Sequence, residues 1–301
     1  MKGGAGALLL RDRRAIAGGG LVLLAAAAAL AAPALLGTSG GGLGDIVARR
    51  FVAPLAATPD GALHLLGTDA FGRDLFVRLC AGARVSLAVG FLAAFTALLA
   101  GVAAGATAGF AGGAADRAIV TLTDAALAVP RVPLLLLLVA LFEPGVLLVV
   151  IALGLTGWMG VARLVRTEVR SLRERPFVEA ARALGVRPAR LLARHVVPNA
   201  LAPALVATAL GVGNAIMLEA GLSFLGLGVQ PPTASWGNMI AAGRDALVVA
   251  PWVALAPAGA VAAVVLACSL LADALEAALA GEHARDTAAT GRASRGTPLA
   301  R

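Results

Sequence analysis

Ionisable side chains that stand within long apolar stretches are the residues of this sequence with the clearest capacity for chemistry. Asp124 and Arg131 lie in one apolar run with Pro130 between them, and Glu219 ends another. A charge at the bilayer centre costs roughly 2.5 to 3.5 kcal/mol on insertion scales, so such residues usually face a bundle interior or a water-filled cavity. A proline inside a span frees backbone carbonyls that a wet cavity can satisfy. Four residues are therefore candidates for lining a transport pathway: Asp124, Pro130, Arg131 and Glu219.

Arg131 and Glu219 each leave two interpretations open. Arg131 follows Arg117 by 14 residues, roughly 21 Å along a helix, which is too deep for easy snorkelling to the inner surface. It either pairs with a neighbouring acid or faces the solute or a partner subunit. Asp124 lies on the same helical face but about 10 Å away, so we do not expect it to be that acid. Glu219 either lines a gate or faces headgroup water, and we favour the second.

Catalytic clusters are absent from the sequence. The only lysine is Lys2, so the phosphate-binding pattern GxxxxGK[ST] is missing, and the chain does not power itself by that route. The three histidines are scattered without metal-ligand spacing, and Cys80 and Cys268 are far apart. We predict no catalytic residue, no metal site and no cofactor. Any energy must come from another chain.

Composition defines the class of protein. Of 301 residues, 59% are hydrophobic and only 14% are charged, with a mean hydropathy of +0.89, which is far too apolar for a soluble fold. The net charge of +8 would fit nucleic-acid binding, but the basic residues cluster at the ends of apolar stretches, as membrane anchoring requires. We predict an all-α polytopic membrane protein with six transmembrane helices.

An arginine-dense loop between two apolar segments orients the chain. Residues 163–198 contain nine of the 25 basic residues, so the positive-inside bias places this loop and both termini in the cytoplasm. Residues 15–36 are long enough to span, although the small residues at 32–34 leave a cleaved signal peptide as the alternative. The predicted segments are a cytoplasmic N-terminus (1–14), a first transmembrane helix (15–36), an extracytoplasmic segment (37–84), a five-helix core (85–275) containing loop 163–198, and a cytoplasmic tail (276–301).

Within this loop the sequence predicts two short helices with a sharp corner. Good helix formers fill 179–184, Gly185 stands where a left-handed residue ends a helix, and Pro188 stands where a first-turn proline starts one. Ala181 and Leu184, three apart, share one side of the first helix, and the alanines give a low surface for another protein to approach. The alternative is a basic connector in which alanine and arginine are frequent because the genome is rich in G and C.

Three stretches, in order, resemble one protein family. Glu179-Ala180-Ala181, Gly185 six positions after the glutamate and Pro198 thirteen after the glycine resemble the EAA loop of binding-protein-dependent ABC importer permeases. GTDAFGRD and GARVSL (67–87) and SFLGLGVQPPTASWGNM (223–239) are similar to segments of the dipeptide, oligopeptide and nickel branch. An arginine after Pro130 departs from the family pattern. From the residues alone, we expect Asp69 and Asp74 to form a solvated entry turn.

The resemblance implies a type I ABC importer fold and a second permease subunit of a peptide importer in the bacterial inner membrane. It implies a heterodimer with another permease subunit, two ATPase subunits and an extracytoplasmic solute-binding protein. The residues it implies for ATPase docking are Glu179, Ala180, Ala181, Leu184, Gly185, Arg187 and Pro198. Nickel or another small solute remains an alternative cargo. A secondary transporter would need inverted repeats, which we do not find, and a membrane enzyme would need a catalytic cluster.

Overall fold

Helices dominate the part of the chain that the computed structural model describes, residues 9, 12–35, 46–58 and 61–295. The predicted all-α class is confirmed, apart from a two-residue antiparallel pair of strands, β1 (Ala56–Ala57) and β2 (Leu63–His64). A π-helical turn (Leu192–Val196) and a 3-10 turn (Arg244–Ala246) join longer elements. The α-helices are α1 (Arg13–Leu35), α2 (Ile46–Arg49), α3 (Leu75–Ala111), α4 (Gly113–Ala128), α5 (Arg131–Leu141), α6 (Val146–Leu155), α7 (Trp158–Arg173), α8 (Pro176–Ala183), α9 (Pro188–Leu191), α10 (Val197–Phe224), α11 (Trp236–Gly243) and α12 (Trp252–Arg295).

The helices long and apolar enough to cross a membrane number five among the described residues, or six with one bent pair. The five are Arg13–Ala31, Leu75–Ala111, Val146–Arg173 (α6 and α7 together), Pro188–Phe224 (α9, the π-helical turn and α10 together) and Trp252–Gly281. The bent pair is α4 and α5, which meet at 85°. Pro130 caps α5 and forces Val129 into an extended conformation, so the third predicted span is broken rather than straight. The prediction of six spans agrees with this count when the bent pair is one of them.

Helix α3 is the centre of the bundle, where it packs against α1, α6, α7 and α10. Its contact with α7 is close because glycines face that helix. A Cβ atom added at Gly101 would lie 2.6 Å from Val161 Cβ, and one at Gly109 would lie 2.7 Å from the Arg166 carbonyl oxygen. Small residues at a spacing of four allow this approach of two backbones in a membrane.

The entry to α3 corrects one prediction, the solvated turn at Asp69 and Asp74. Asp69 is only 6% exposed, and its carboxylate accepts backbone N–H groups from Phe71 and Arg73 at 2.8 and 3.0 Å. Arg73 Nε also donates to Asp69 Oδ2 at 2.8 Å. Asp74 caps α3 by accepting the Val77 N–H at 3.0 Å, and its other oxygen lies 2.6 Å from His64 Nδ1. Both carboxylates accept hydrogen bonds within a folded turn, as polar groups removed from water usually do.

The predicted segment boundaries are only partly covered by the described residues. Most of the predicted N-terminal segment and the glycine-rich start of the extracytoplasmic segment, residues 37–44, lie outside them. The sidedness of each segment stays a prediction.

Candidate functional site

The corner at Gly185 joins α8 to α9, and we call residues 176–191 the elbow. Pro176 occupies the first turn of α8, and Gly185 has a φ of +76°, a left-handed conformation that favours glycine. The Gly185 N–H donates to the Arg182 carbonyl at 3.0 Å and the Val186 N–H to the Ala181 carbonyl at 3.2 Å. This pair of bonds is the Schellman motif that ends a helix. The predicted two helices with a corner at Gly185 are present.

Buried aliphatic side chains anchor the elbow to the bundle. Val178 on α8 and Leu191 on α9 are 0% and 1% exposed, and both belong to a cluster with Val165 and Val169 of α7. Burial of a valine or leucine side chain contributes roughly 1.5 to 3 kcal/mol each. The elbow is therefore held against α7 on both sides of its corner.

The outer face of the elbow is exposed. Glu179, Ala180 and Gly185 are exposed, and Leu184 is 84% exposed although it is a large apolar residue. Ala181 instead packs partly against the anchoring cluster, so Ala181 and Leu184 do not present one common surface as the spacing predicted. Of the two remaining docking candidates, Arg187 is exposed within the elbow and Pro198 is exposed on the chain that follows it. An exposed leucine beside small residues is a surface that a second protein can cover.

A polar hollow of about 340 Å³ lies beside the elbow. Glu179 lines it together with Arg173, Arg182 and Asp116, while the glycines of the turn between α3 and α4 give it width. Asp116 forms a two-bond pair with Arg166, in which Nη2 donates to Oδ2 at 2.8 Å. Because this pair is bidentate, it fixes the start of α4 against α7.

A second cavity, of about 280 Å³, opens between helices of the bundle, and we call it the Arg131 cavity; Leu210 and Asn214 at its rim are exposed. Its walls are small residues of α3, α7 and α10, among them Ala97, Gly160 and Gly211. In the part of the chain that the structure describes, Arg131 is the one charged residue that lines it, and Thr208 and Asn214 are its other polar residues. Asp124, Pro130 and Glu219 do not line it. Of the four pathway candidates, the structure places only Arg131 in this cavity.

Arg131 is partnered by neutral groups. Its Nε donates to Thr156 Oγ1 and its Nη2 to the Leu153 carbonyl oxygen, both at 3.3 Å. Among the described residues no carboxylate lies within ion-pair distance of it. Asp124 pairs instead with Arg163, at 2.5 Å, and both side chains are about half exposed. Of the two interpretations of Arg131, pairing with a neighbouring acid is not found among the described residues, and the expected lack of an Asp124–Arg131 pair agrees with the structure.

Glu219 is completely buried, so the expectation that it faces headgroup water is wrong. Ser86 and Ser223 donate hydroxyls to its two carboxylate oxygens at 2.9 and 2.7 Å. Ser86 Oγ also accepts the Trp236 backbone N–H at 3.1 Å. This network joins α3, α10 and α11, and its partners satisfy the buried carboxylate.

Sequence reasoning missed the residues that position these groups. Val178 is one of several buried valines of the loop, and no motif marks it. Thr156 and Asn214 carry no motif, and they matter because α6, α10 and the start of α5 meet at one cavity. A helical-wheel analysis of α8 could have found Val178, since Pro176 fixes its start.

Comparison with known proteins places these features in a family. Residues 97–281 match the model of the family "Binding-protein-dependent transport system inner membrane component". The oligopeptide transport system permease proteins OppC of Bacillus subtilis and Escherichia coli are 41% and 42% identical to this chain, over 74% and 75% of it and 73% and 76% of their own lengths. The dipeptide transport system permease protein DppC of Alkalihalophilus pseudofirmus is 39% identical over 72% of each chain.

A solved structure shares the fold. An inward-facing form of the MetNI methionine ABC transporter matches with a TM-score of 0.52 and 19% identity, over 68% of this chain and 96% of that one. The predicted type I ABC importer transmembrane fold is thereby confirmed. The sequence-based resemblance is also confirmed, because the family model and the curated relatives agree with it. The chain belongs to the binding-protein-dependent transport system inner membrane component family, the membrane permease subunits of ABC importers.

Proposed function

We propose that this chain forms, with a second permease subunit, the pathway by which an ATP-driven importer moves di- or oligopeptides across the bacterial plasma membrane. Separate ATPase subunits hydrolyse the ATP, and an extracytoplasmic solute-binding protein delivers the peptide. The observation that carries the proposal is the 41–42% identity to oligopeptide permease proteins over about three quarters of the chain. The named relatives favour peptides over the nickel alternative.

The elbow supports a docking role for the ATPase subunits. It presents Glu179, Ala180 and Leu184 outward while Val178 and Leu191 fix it to α7. A surface held in this way moves together with the membrane helix beneath it. Glu179 also faces the polar hollow, where arginines of α7 and α8 surround it. The docking residues of this proposal are Glu179, Ala180, Ala181, Leu184, Gly185, Arg187 and Pro198.

The transport cycle is alternating access. ATP binds better to the closed form of the ATPase subunits than to the open form, and this differential affinity biases the whole assembly. The elbow follows the ATPase subunits, and α7 and α3 reorient with it because their backbones are in close contact. The elbow and both termini lie in the cytoplasm, in keeping with the nine arginines of residues 163–198.

Reconstitution tests this proposal. The chain is placed in liposomes alone, or with the second permease subunit, the ATPase subunits and the binding protein, and uptake of radiolabelled trialanine is measured with and without ATP. We expect uptake only in the complete, ATP-supplied assembly. Accumulation of trialanine by this chain alone would contradict the proposal, and so would failure of the ATPase subunits to co-purify with it.

A further inference from the structure

The cation in the Arg131 cavity has hydrogen-bonding capacity that the protein does not use. A guanidinium carries five N–H donors, and two of them contact Thr156 and Leu153. Both of those bonds are long, at 3.3 Å, and both acceptors are uncharged. Three donors therefore remain without a partner among the described residues. A half-buried cation in this state favours a bound anion.

The anchors of Arg131 hold its head at the cavity wall. Thr156 Oγ1 itself donates to the Ala152 carbonyl at 2.8 Å, so its lone pairs point to the arginine. A Cβ atom at Gly157 would lie 3.0 Å from the Leu153 carbonyl oxygen that accepts from Arg131, and 3.1 Å from Ala97 Cβ, so a glycine here favours the close approach of these groups. The guanidinium is thus positioned by α6 and the turn before α7 rather than free to follow solvent. Such a fixed fork matches the two oxygens of a carboxylate.

The rest of the cavity is built for a small polar solute. Most of the lining is alanine and glycine, which gives room without specific pockets. Asn214 lines the same cavity, and its side-chain amide makes no hydrogen bond to the described residues. An amide can both donate to and accept from a peptide group. A volume of about 280 Å³ is at the lower end for small-molecule sites, and so fits one end of a peptide.

We propose that Arg131 binds the C-terminal carboxylate of the peptide in transit, with Asn214 contacting the adjacent peptide group. This inference rests on the proposed function and adds a specificity-determining residue to it. Among the described residues, none that lines the cavity is acidic and could compete for the arginine. The site therefore recognises a feature that every unmodified peptide carries, whatever its side chains.

The test compares trialanine with trialanine amide, which differ only at the C terminus. Initial uptake of each peptide is measured in the complete reconstituted assembly for wild type and for Arg131→Gln. Any preference of the binding protein for one of the two peptides is the same with either permease. It therefore cancels when the ratio of trialanine uptake to amide uptake for the variant is divided by that ratio for wild type. Since hydrogen bonds between charged groups are the stronger ones, we expect Arg131→Gln to lower trialanine uptake roughly tenfold more than uptake of the amide. Equal losses for the two peptides would leave Arg131 a purely structural role and overturn the inference.

A second pair of variants does not disturb the anchors of Arg131. Asn214→Asp puts a competing carboxylate into the cavity, and we expect it to lower trialanine uptake selectively, by several-fold. Asn214→Leu removes the amide without adding charge, and we expect it to lower uptake of both peptides equally. If Arg131→Gln fails to assemble, the Asn214→Asp variant decides. An Asn214→Asp permease whose ratio of trialanine uptake to trialanine amide uptake equals that of wild type overturns the inference. If the wild-type assembly takes up neither peptide, the proposed peptide function fails, and this inference falls with it.

Discussion

Replacement of Gly185 by valine tests whether the shape of the elbow transmits force from the ATPase subunits. Gly185 has a φ of +76°, and a Cβ atom there would meet nothing within 4 Å, so the substitution acts only through the backbone. A left-handed conformation costs a residue with a Cβ atom roughly 1 to 2 kcal/mol, and more for a β-branched one. Burial of Val178 contributes a similar amount, roughly 1.5 to 3 kcal/mol, so α8 would gain little by leaving α7 to relieve the strain at the corner. We therefore expect α8 to stay docked while the corner takes another shape, roughly tenfold in favour of the altered form.

The chain offers a matched control at the other end of a membrane helix. Gly226 has a φ of +77° and equally open surroundings, and it ends α10 with the same motif. Its N–H donates to the Ser223 carbonyl at 3.1 Å, and the Leu227 N–H donates to the Leu222 carbonyl at 3.0 Å. Gly226→Val thus imposes the same backbone strain away from the elbow. Gly185→Asn is the second control, because asparagine tolerates the left-handed region.

The assay measures how much ATPase subunit co-purifies with each permease variant, together with ATP hydrolysis and trialanine uptake in liposomes. We expect Gly185→Val to insert normally but to lose most of the bound ATPase and about nine tenths of the coupled uptake, following the tenfold shift. Gly226→Val should retain the ATPase subunits, and Gly185→Asn should restore uptake. Wild-type uptake by Gly185→Val, or equal ATPase loss from Gly226→Val, would refute the docking role of the elbow.

Three further predictions follow from exposure and packing. Leu184→Cys should react with a membrane-impermeant maleimide only in inside-out vesicles, and Val47→Cys only in intact cells. Both sites are at least 84% exposed, while native Cys80 and Cys268 are buried and should not react. The reverse labelling pattern would contradict the proposed topology. Glu219→Ala should lower the free energy of unfolding in detergent by about 1 to 3 kcal/mol for each serine hydroxyl left without its partner, and Glu219→Gln should lower it by less. Thermal melts measure this, and a Glu219→Ala permease that melts at the wild-type temperature would show that the network is not stabilising. Gly105→Ala should lower the free energy of unfolding by about 1 to 3 kcal/mol, because its Cβ would overlap α7. The control is Gly160→Ala, whose Cβ meets nothing, and it should leave the stability unchanged or raise it. Equal changes in stability for the two variants would contradict the close contact of α3 and α7.

Local signals made the elbow predictable. Gly185 and Pro188 act on their own backbone, so their effect on helix ends requires no knowledge of the rest of the fold. The break of the third span at Pro130 is of the same kind, since a proline removes a hydrogen bond from its own helix. The inward orientation of Ala181 is different, because it depends on where α7 lies.

Long-range contacts explain what the sequence did not reveal. Ser86 and Glu219 are 133 positions apart, and no local pattern indicates that this serine of α3 donates a hydrogen bond to the Glu219 carboxylate. Asp69 was expected in solvent because it lies in the predicted extracytoplasmic segment, outside the apolar spans, yet its partners fold around it. Arg131 finds Thr156 only after the chain reverses between α5 and α6. In each case a tertiary neighbour determined the side chain's environment.

Helix α7 is the physical connection between the elbow and the Arg131 cavity. Its far half, with Val165 and Val169, packs on the elbow, and its first turn, with Gly160, lines the cavity. The helix has 16 residues, or roughly 24 Å of continuous hydrogen-bonded backbone. A displacement at the elbow therefore reaches the cavity through one rigid element rather than through a chain of flexible contacts. Because Arg131 is held at the turn just before α7, the movement that reorients this helix also changes the surroundings of the cation that we propose binds the peptide.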